Sequence, residues 1–248
     1  MPTIDADVCL FDLDGTLVDT QYVSDCAWSN FCNRHKVDPS EIMNSSRFGI
    51  NSDLVKKYFP TLELEGDEAV RELEYSIAYD YLDSVRLIPG AKKLLIDLNT
   101  NSLTKNKFIK QRWAIVTSGS PYLAHMWFRT ILREVGAPEV FITASDVTND
   151  KPDPEGYRKA CFEVCNLWDS SMKDAKKVVF EDSPQGVKAG RGIGATVIAV
   201  KTTFEKSKLF EAGADYVVSD LTSVHVKKNT FTSSIILDIQ NPLINEPS

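Results

Sequence analysis

The chain has 248 residues, of which 43% are apolar and 25% charged, and its formal net charge is -7 at pH 7. This apolar fraction is high enough to build a substantial core, which excludes a disordered chain. The acidic balance excludes a general binder of nucleic acid or of anionic membranes, because such surfaces require clustered Lys and Arg. The five cysteines form no CxxC pair, which favours reduced thiols over a disulfide framework.

The sequence shows no evident targeting segment. No apolar run approaches the roughly 20 residues that a membrane-spanning helix requires. The first residues include Asp5 and Asp7 rather than the basic region of a secretory signal peptide. We therefore expect a cytoplasmic monomer with no nucleic-acid or membrane partner.

The first predicted strand ends in two carboxylates. Residues 8–11 are apolar, and Asp12 and Asp14 follow them into a turn at Gly15 and Thr16. Because alternate residues of an extended chain point to the same side, the two carboxylates can converge where the strand ends. One carboxylate of such a pair can attack while the other manages a proton, and the pair favours a divalent cation such as Mg²⁺. A strand this apolar is typical of a parallel sheet, which binds ligands at the carboxyl ends of its strands.

Two different periodicities follow along the chain. From about residue 19 to 88 the apolar spacing is helical, which predicts a helical insert that ends at Pro89-Gly90. Beyond it, helical and strand patterns alternate, which predicts an α/β protein with a mostly parallel sheet. The predicted helices cover residues 92–98, 121–135, 155–164, 184–193 and 206–212, and the predicted strands cover 113–117, 140–142, 178–180, 196–200 and 216–218.

Two stretches do not fit this alternation. Residues 99–112 are polar and basic, and we expect them to form a solvated excursion before the strand that begins at Trp113. The tail after His225 contains the apolar run 235–237, which we expect to add an edge strand. We assign neither stretch a functional role.

Polar residues also follow later strands. Ser118 and Gly119 come between a predicted strand and a helix, so that the hydroxyl and the next backbone N–H groups can face an anion. Lys151 lies in a loop held by two prolines, where its ammonium group can neutralise phosphate charge. Glu181 and Asp182 end another apolar strand, and Asp182 is a candidate metal ligand.

These four signals, in this order and at this spacing, resemble the motifs of the haloacid dehalogenase (HAD) superfamily of phosphotransferases. The resemblance covers nearly the whole chain and implies a doubly wound, Rossmann-like α/β core with an inserted α-helical cap domain. It implies a core formed by residues 1–18 and 89–248, and a cap formed by residues 19–88. More narrowly, three runs are similar to the 2-deoxyglucose-6-phosphate and glycerol phosphate phosphatases of yeast, namely 117–124, 151–157 and 212–218.

The resemblance implies a role for each motif residue. Asp12 is cast as the nucleophile that forms an aspartyl-phosphate, and Asp14 as the general acid and base. Mg²⁺ is implied at Asp12, at the backbone carbonyl of Asp14 and at Asp182, with Glu181 close by. The implied phosphate ligands are Ser118, Gly119 and Lys151, and Thr16 is implied to hydrogen-bond near Asp14.

The reaction that follows from this resemblance is phosphate ester hydrolysis. We expect a Mg²⁺-dependent phosphatase for small sugar or polyol phosphates, of the 2-deoxyglucose 6-phosphate or glycerol phosphate type. A sugar phosphomutase is the alternative, but Ser24 stands where the β-phosphoglucomutase pattern has a histidine. A non-catalytic phosphometabolite-binding protein is a further alternative, which the intact motif residues disfavour. A dehalogenase is disfavoured because those enzymes need neither the second aspartate nor Mg²⁺.

The substrate depends on the cap, where this chain departs from the related pattern. The deoxyglucose phosphatase pattern carries His-Gly-x-Arg in a cap loop, and residues 48–51 read Phe-Gly-Ile-Asn here. Arg47 can reach the same space. We take Asp19, Arg47 and Asn51 as candidate substrate contacts, because a cap must close over the core to exclude water.

Overall fold

The computed structural model describes residues 2–40, 42, 52–60, 62, 66–108 and 110–245. The candidate substrate contacts Arg47 and Asn51 lie outside the described residues. Within those ranges, no helix is both long enough and apolar enough to cross a bilayer.

Strands and helices alternate along most of the described chain. The strands are β1 (Thr3–Ala6), β2 (Val8–Phe11), β3 (Val18–Asp19), β4 (Arg86–Leu87), β5 (Trp113–Val116), β6 (Phe141–Ile142), β7 (Lys177–Glu181), β8 (Thr196–Val200), β9 (Tyr216–Val218), β10 (Val224–Thr230) and β11 (Ser233–Ile239). The α-helices with described bounds are α1 (Gln21–His35), α2 (Ser52–Tyr58), α3 (Gly66–Tyr75), α4 (Ala91–Leu98), α5 (Pro121–Arg129), α6 (Glu155–Leu167), α7 (Pro184–Gly192) and α8 (Lys206–Glu211).

A six-stranded sheet forms the centre of the protein. Its strand order is β6-β5-β2-β7-β8-β9, and every neighbouring pair is parallel. The prediction of an α/β protein with a mostly parallel sheet is therefore confirmed. Because these strands all run the same way, the residues that follow β2, β5 and β7 meet at one edge of the sheet.

A separate apolar core covers each face of this sheet. On one face Phe11 and Phe180 pack with α4 and α5, and on the other face Leu10 and Val179 pack with α6. Successive residues of a strand point to opposite faces, so one strand serves both cores, and all of β2 is buried. This helix–sheet–helix layering is the doubly wound, Rossmann-like arrangement that the resemblance implies.

The helical segment begins and ends at neighbouring points of the core. β3 and β4 pair antiparallel, with Val18 opposite Leu87 and Asp19 opposite Arg86. Between them lie α1, α2, α3 and a π-helical turn at Ser76–Asp80. The expected helical insert is thus present at the expected place, and its division from the core as a cap domain stays a prediction.

One predicted helix is shorter in the structure. The helix predicted over 121–135 ends at Arg129, and the hydroxyl of Thr130 donates to the carbonyl oxygen of Met126 at 2.7 Å. Leu132 stays fully buried in the turns that follow. The apolar spacing therefore continues beyond the helix, which explains why the sequence pattern predicts the longer element.

The polar stretch 99–112 is anchored in the core. Asn99 is buried and accepts a hydrogen bond from the indole N–H of Trp113 at 2.8 Å. Asn101 and Phe108 are also buried. The asparagine side chains satisfy polar groups that an irregular segment cannot pair through a ladder. The expectation of a solvated excursion was wrong for these residues.

The C-terminal tail forms the middle of a second sheet. β11 pairs antiparallel with β1 on one side and with β10 on the other, in the order β1-β11-β10. Ile235, Leu237 and Ile239 are fully buried there. The expectation of an edge strand was wrong, because partners from both ends of the chain flank β11.

Truncating Leu237 tests whether the tail is integral to the core. We expect Leu237→Ala to lower the free energy of unfolding by about 2–5 kcal/mol, because the change leaves a cavity at a buried position. Ile236 lies on the other, half-buried face of β11 and provides the matched control. Ile236→Ala should have less than half that effect in urea unfolding, and equal effects at the two positions would contradict the placement of β11.

Candidate active site

Asp12 lies one residue beyond the end of β2, between two neighbouring strands. Its backbone N–H donates to the carbonyl oxygen of Phe180 on β7 at 3.0 Å, which extends the ladder to this residue. The rings of Phe11 and Phe180 stack below it with centroids 4.3 Å apart. This ladder bond and ring contact fix the point at which the first carboxylate leaves the sheet.

The Asp12 carboxylate is held on both oxygens. Lys151 Nζ contacts Oδ1 at 2.7 Å, and the Thr16 hydroxyl donates to Oδ2 at 2.9 Å. Thr16 therefore bonds to Asp12, because the turn after β2 brings the hydroxyl back towards this residue. Two fixed donors leave the carboxylate with little rotational freedom.

Lys151 connects three acceptors below the edge of the sheet. Besides Asp12, its ammonium group contacts Glu181 Oε1 at 2.7 Å and the carbonyl oxygen of Val116 at 3.0 Å. Burial opposes the charged ammonium, but Asp12 and Glu181 outweigh this effect and raise the pKa of Lys151. The lysine therefore stays cationic, and it sits where the loop after β6 reaches the ends of β5 and β7.

Glu181 is fully buried, and both of its carboxylate oxygens accept hydrogen bonds. Its Oε1 also accepts from the hydroxyl of Tyr157 at 2.8 Å, and its Oε2 accepts from the N–H groups of Asp182 and Ser183 at 3.0 and 3.1 Å. A Cβ at Gly186 would lie 1.7 Å from Oε1, so only glycine fits there. These contacts orient Glu181 towards Lys151, and the sequence pattern does not reveal Tyr157 as part of the site.

Three acidic residues converge at this edge. One carboxylate oxygen each from Asp12, Glu181 and Asp182 lie within 4.8 Å of one another. Burial, opposed by Lys151, raises the pKa of Asp12 to about 7. Burial and the neighbouring charges of Asp12 and Glu181 raise the pKa of Asp182 well above its usual range. Such clustered carboxylates are typical ligands of a hard divalent cation, which would relieve their repulsion.

Gly15 allows the turn after β2 to approach Asp182. Its φ is +88°, and a Cβ there would lie 2.1 Å from Asp182 Oδ2. The hydroxyl of Thr202, which follows β8, donates to the carbonyl oxygen of Gly15 at 2.5 Å. The glycine of the Asp-Gly-Thr turn is thus required both by its backbone conformation and by the space available.

Asp14 faces away from this cluster. Its Oδ1 accepts a hydrogen bond from the indole N–H of Trp127 at 3.1 Å. Burial raises the pKa of Asp14, and hydrogen bonds from Trp127, Thr20 and Thr117 oppose the shift. The two aspartates of the motif therefore have different partners, which is what separate roles require. That the backbone carbonyl of Asp14 binds the metal ion stays a prediction.

The predicted phosphate residues lie together. Ser118 and Lys151 line the same small cavity, with Thr117 and Asn149. The Ser118 side chain is exposed, so it can meet a ligand. Gly119 is a predicted phosphate ligand, but its N–H donates to Thr117 Oγ1 at 2.9 Å. In this conformation the N–H group is therefore not available to an anion.

The helical segment contributes a buried carboxylate that the sequence pattern does not reveal. Glu74 on α3 accepts a hydrogen bond from the hydroxyl of Ser120 at 2.6 Å. Ser120 also caps α5, because its side chain accepts from the N–H of Leu123 at 3.3 Å. Glu74 therefore joins the helical segment to the loop of Ser118. By contrast, Asp19 is exposed on β3.

Comparisons with known proteins give the family. Residues 6–194 match the model of haloacid dehalogenase-like hydrolases. The chain is 47% identical over 247 residues to 2-deoxyglucose-6-phosphate phosphatase 2 of Saccharomyces cerevisiae, covering 99% of this chain and 100% of the relative. It is 32% identical over 228 residues to glycerol-1-phosphate phosphohydrolase 2 of the same yeast, covering 90% and 86%. A solved HAD hydrolase of family IA, variant 3, from Entamoeba histolytica matches with a TM-score of 0.70 at 17% identity, covering 89% and 96%.

The parallel sheet, with acidic residues and a lysine at its carboxyl edge, defines an α/β protein whose candidate active site lies where the strands end. The structural likeness to the Entamoeba protein supports the same fold. The chain belongs to the haloacid dehalogenase-like hydrolases, and it is a phosphoric monoester hydrolase.

Removing Lys151 tests how the cluster is held. We expect Lys151→Met to lower the free energy of unfolding in EDTA by about 3–5 kcal/mol, because it leaves Asp12 and Glu181 buried without their cation. Lys176 provides the matched control, since it forms an exposed pair with Asp5 at 2.9 Å. Lys176→Met should change stability little, and an equally small effect for Lys151→Met would contradict the described contacts.

The Glu74 carboxyl gives a prediction for pH. Burial raises the pKa of Glu74 above its usual 4.5, and hydrogen bonds from Ser120 oppose the shift. The folded state then binds the proton more tightly than the unfolded state, so stability falls as pH rises from 4.5 through the raised pKa. We expect Glu74→Gln to unfold at higher urea concentration than the wild type at neutral pH, with the advantage shrinking towards pH 4.5.

Glu72 provides the control for this measurement. It lies on the same helix and pairs with Arg34 at the surface. Glu72→Gln should give no gain that grows with pH. If both variants respond alike, the effect does not come from the buried contact with Ser120.

Proposed function

We propose that the chain is a Mg²⁺-dependent phosphatase that hydrolyses small sugar or polyol phosphate monoesters through an aspartyl-phosphate on Asp12. The observation that carries this proposal is the Asp12 carboxylate held between Lys151 and Thr16 at the carboxyl edge of the sheet. A carboxylate fixed in this way can act as a nucleophile towards phosphorus. The ammonium group of Lys151 beside it and the exposed hydroxyl of Ser118 suit the binding of a phosphate group.

The donor set fits Mg²⁺. Asp12, Asp182 and Glu181 offer oxygen atoms, which this hard cation prefers. Glu181 already accepts five hydrogen bonds from its surroundings. We therefore assign Asp12, Asp182 and the backbone carbonyl of Asp14 as direct ligands, and Glu181 as their support. When bound, the cation would lower the repulsion between an anionic nucleophile and an anionic phosphate.

The first step transfers the phosphoryl group to the protein. An oxygen of Asp12 forms a bond to phosphorus while the ester bond between phosphorus and the alcohol oxygen breaks. The electron pair of that bond stays on the alcohol oxygen, which takes a proton from Asp14. Lys151 and Ser118 hold the phosphate oxygens, because phosphoryl transfer depends mainly on positioning and on charge stabilisation.

The second step releases phosphate. Asp14 takes a proton from a water molecule as the water oxygen bonds to phosphorus, and the bond between phosphorus and Asp12 breaks. The electron pair returns to Asp12, which again becomes a carboxylate. Asp14 suits both steps because it gives the proton in the first and takes one in the second.

The substrate class is proposed from the relatives and from the helical segment. Two relatives are named for 2-deoxyglucose 6-phosphate and two for glycerol 1-phosphate, and both of these compounds are small phosphorylated alcohols. We propose that residues 19–88 act as a cap over a core of residues 1–18 and 89–248. The contact between Glu74 and Ser120 supports this arrangement, because it places the helical segment beside the loop that carries Ser118. Asp19, Arg47 and Asn51 remain proposed substrate contacts.

The setting of the enzyme is also proposed. All five cysteines are free, which is consistent with a reducing compartment such as the cytoplasm. We propose a monomer, which light scattering of the purified protein would test.

Phosphate release by the purified protein tests the function. We expect turnover of some members of a panel containing 2-deoxyglucose, glucose and glycerol phosphates, with loss in EDTA and recovery when Mg²⁺ is added. Asp12→Asn should lower turnover by a factor on the order of 10⁴ or more, because it removes the nucleophile. Asp5→Asn, at an exposed position on β1, provides the control and should retain full activity.

The outcomes separate the alternatives. Turnover that survives EDTA would overturn the proposed cation, and turnover that survives Asp12→Asn would overturn the nucleophile. Conversion of glucose 1-phosphate to glucose 6-phosphate without phosphate release would instead favour a mutase. Ser24 on α1, in place of the mutase histidine, leads us to expect hydrolysis.

A further inference from the structure

Trp127 has no part in the steps above, although it contacts one of the two proposed reacting carboxyl groups. Its indole N–H donates to Asp14 Oδ1 at 3.1 Å, and its ring is fully buried. The other oxygen, Oδ2, faces the loop that carries Ser118 and Gly119, since a Cβ built at Gly119 would lie 3.5 Å from it. The two oxygens of Asp14 therefore have different surroundings.

The chemistry of the two surroundings differs as well. An indole N–H can only donate a hydrogen bond, so Oδ1 must act as an acceptor whether Asp14 is charged or neutral. On the other side, the Thr117 hydroxyl accepts from the N–H of Gly119, and a hydroxyl can both donate and accept. Trp127 thus keeps Oδ1 as a hydrogen-bond acceptor, while Oδ2 can either accept a hydrogen bond or carry the proton.

We propose that Trp127 is a positioning residue, which orients the Asp14 carboxyl so that Oδ2 exchanges the proton with the substrate. The inference rests on the proposed function, in which Asp14 is the acid and the base. In the first step the bond between Oδ2 and hydrogen breaks, and the proton goes to the alcohol oxygen as its bond to phosphorus breaks. In the second step a proton passes from water to Oδ2 as the water oxygen bonds to phosphorus.

A matched control exists within the same core. Trp113 is also buried, and its indole N–H donates to Asn99 Oδ1 at 2.8 Å. Trp127→Phe and Trp113→Phe therefore remove the same ring atoms and the same kind of hydrogen bond. Only the first change touches Asp14, so the difference between the two variants reports on catalysis rather than on packing.

The test compares two leaving groups. The wild type is first assayed with the alkyl phosphate that the substrate panel identifies and with p-nitrophenyl phosphate. An alkoxide needs a proton in order to leave, whereas p-nitrophenolate leaves without one. We expect Trp127→Phe to lower the rate of phosphoenzyme formation from the alkyl ester by about 10- to 100-fold, a part of what an acid catalyst contributes. Formation from the aryl ester should change by less than about threefold, because that step does not need the acid.

The second step gives a further signature. Since hydrolysis of the phosphoenzyme still needs Asp14 as a base, Trp127→Phe should show a burst of p-nitrophenol followed by slow turnover. Trp113→Phe should show neither the burst nor the dependence on leaving group. Equal losses with both esters, or the same behaviour in both variants, would overturn the proposal. A wild type without any turnover would instead overturn the proposed function.

A measurement without any change at Trp127 covers the case in which Trp127→Phe does not fold. The protein has four tryptophans, so its indole N–H groups give a small set of NMR signals. The variants Trp28→Phe, Trp113→Phe and Trp168→Phe assign the signal of Trp127 by elimination. In Asp14→Asn this signal should move while the others stay, because its acceptor has lost a charge. An unmoved Trp127 signal would overturn the contact and with it the proposal.

Discussion

The structure depends on one buried cation that three polar groups share. Lys151 contacts Asp12, Glu181 and the carbonyl oxygen of Val116, and these acceptors lie at the carboxyl ends of β2, β7 and β5. Two carboxylates this close would repel each other in a buried setting, and the ammonium between them makes the arrangement tolerable. The lysine therefore fixes the positions of three strand ends relative to one another, and it places the loop that carries it against the edge of the sheet.

The other features of the site follow from this constraint. Because Lys151 and Thr16 bind the two oxygens of Asp12, this carboxylate has a defined direction. Asp182 can lie close to it because Gly15, in the turn after β2, has no side chain that would clash with Asp182. Asp14 has other partners, with its Oδ1 held by Trp127, so two carboxylates that are close in sequence have separate surroundings. Glu74 then connects the helical segment to the loop at Ser120. The separation of the two aspartates suits the proposed roles, in which Asp12 attacks phosphorus and Asp14 transfers the proton.

The sequence reveals those parts of the fold and the site that depend on local pattern. Apolar runs that end in Asp12, Ser118 and Asp182 predict strand ends at one edge, because alternation and parallel pairing are properties of single segments. Trp127 and Glu74 could not be found in this way, since their partners lie 113 and 46 residues away in the chain. The same holds for the tail, because β11 is central only once β1 returns from the other end of the chain to pair with it.

The central claim is that Asp12 carries the phosphoryl group during the reaction, and trapping that intermediate tests it most directly. The protein is mixed with an alkyl phosphate substrate and Mg²⁺, quenched in acid within the first turnover and digested for mass spectrometry. The account predicts one added phosphoryl group on Asp12 that hydroxylamine removes, with more of it in Asp14→Asn if the second step becomes the slower one. A phosphoryl group on Ser118, or substrate turnover with no labelled residue in any quench, would contradict it.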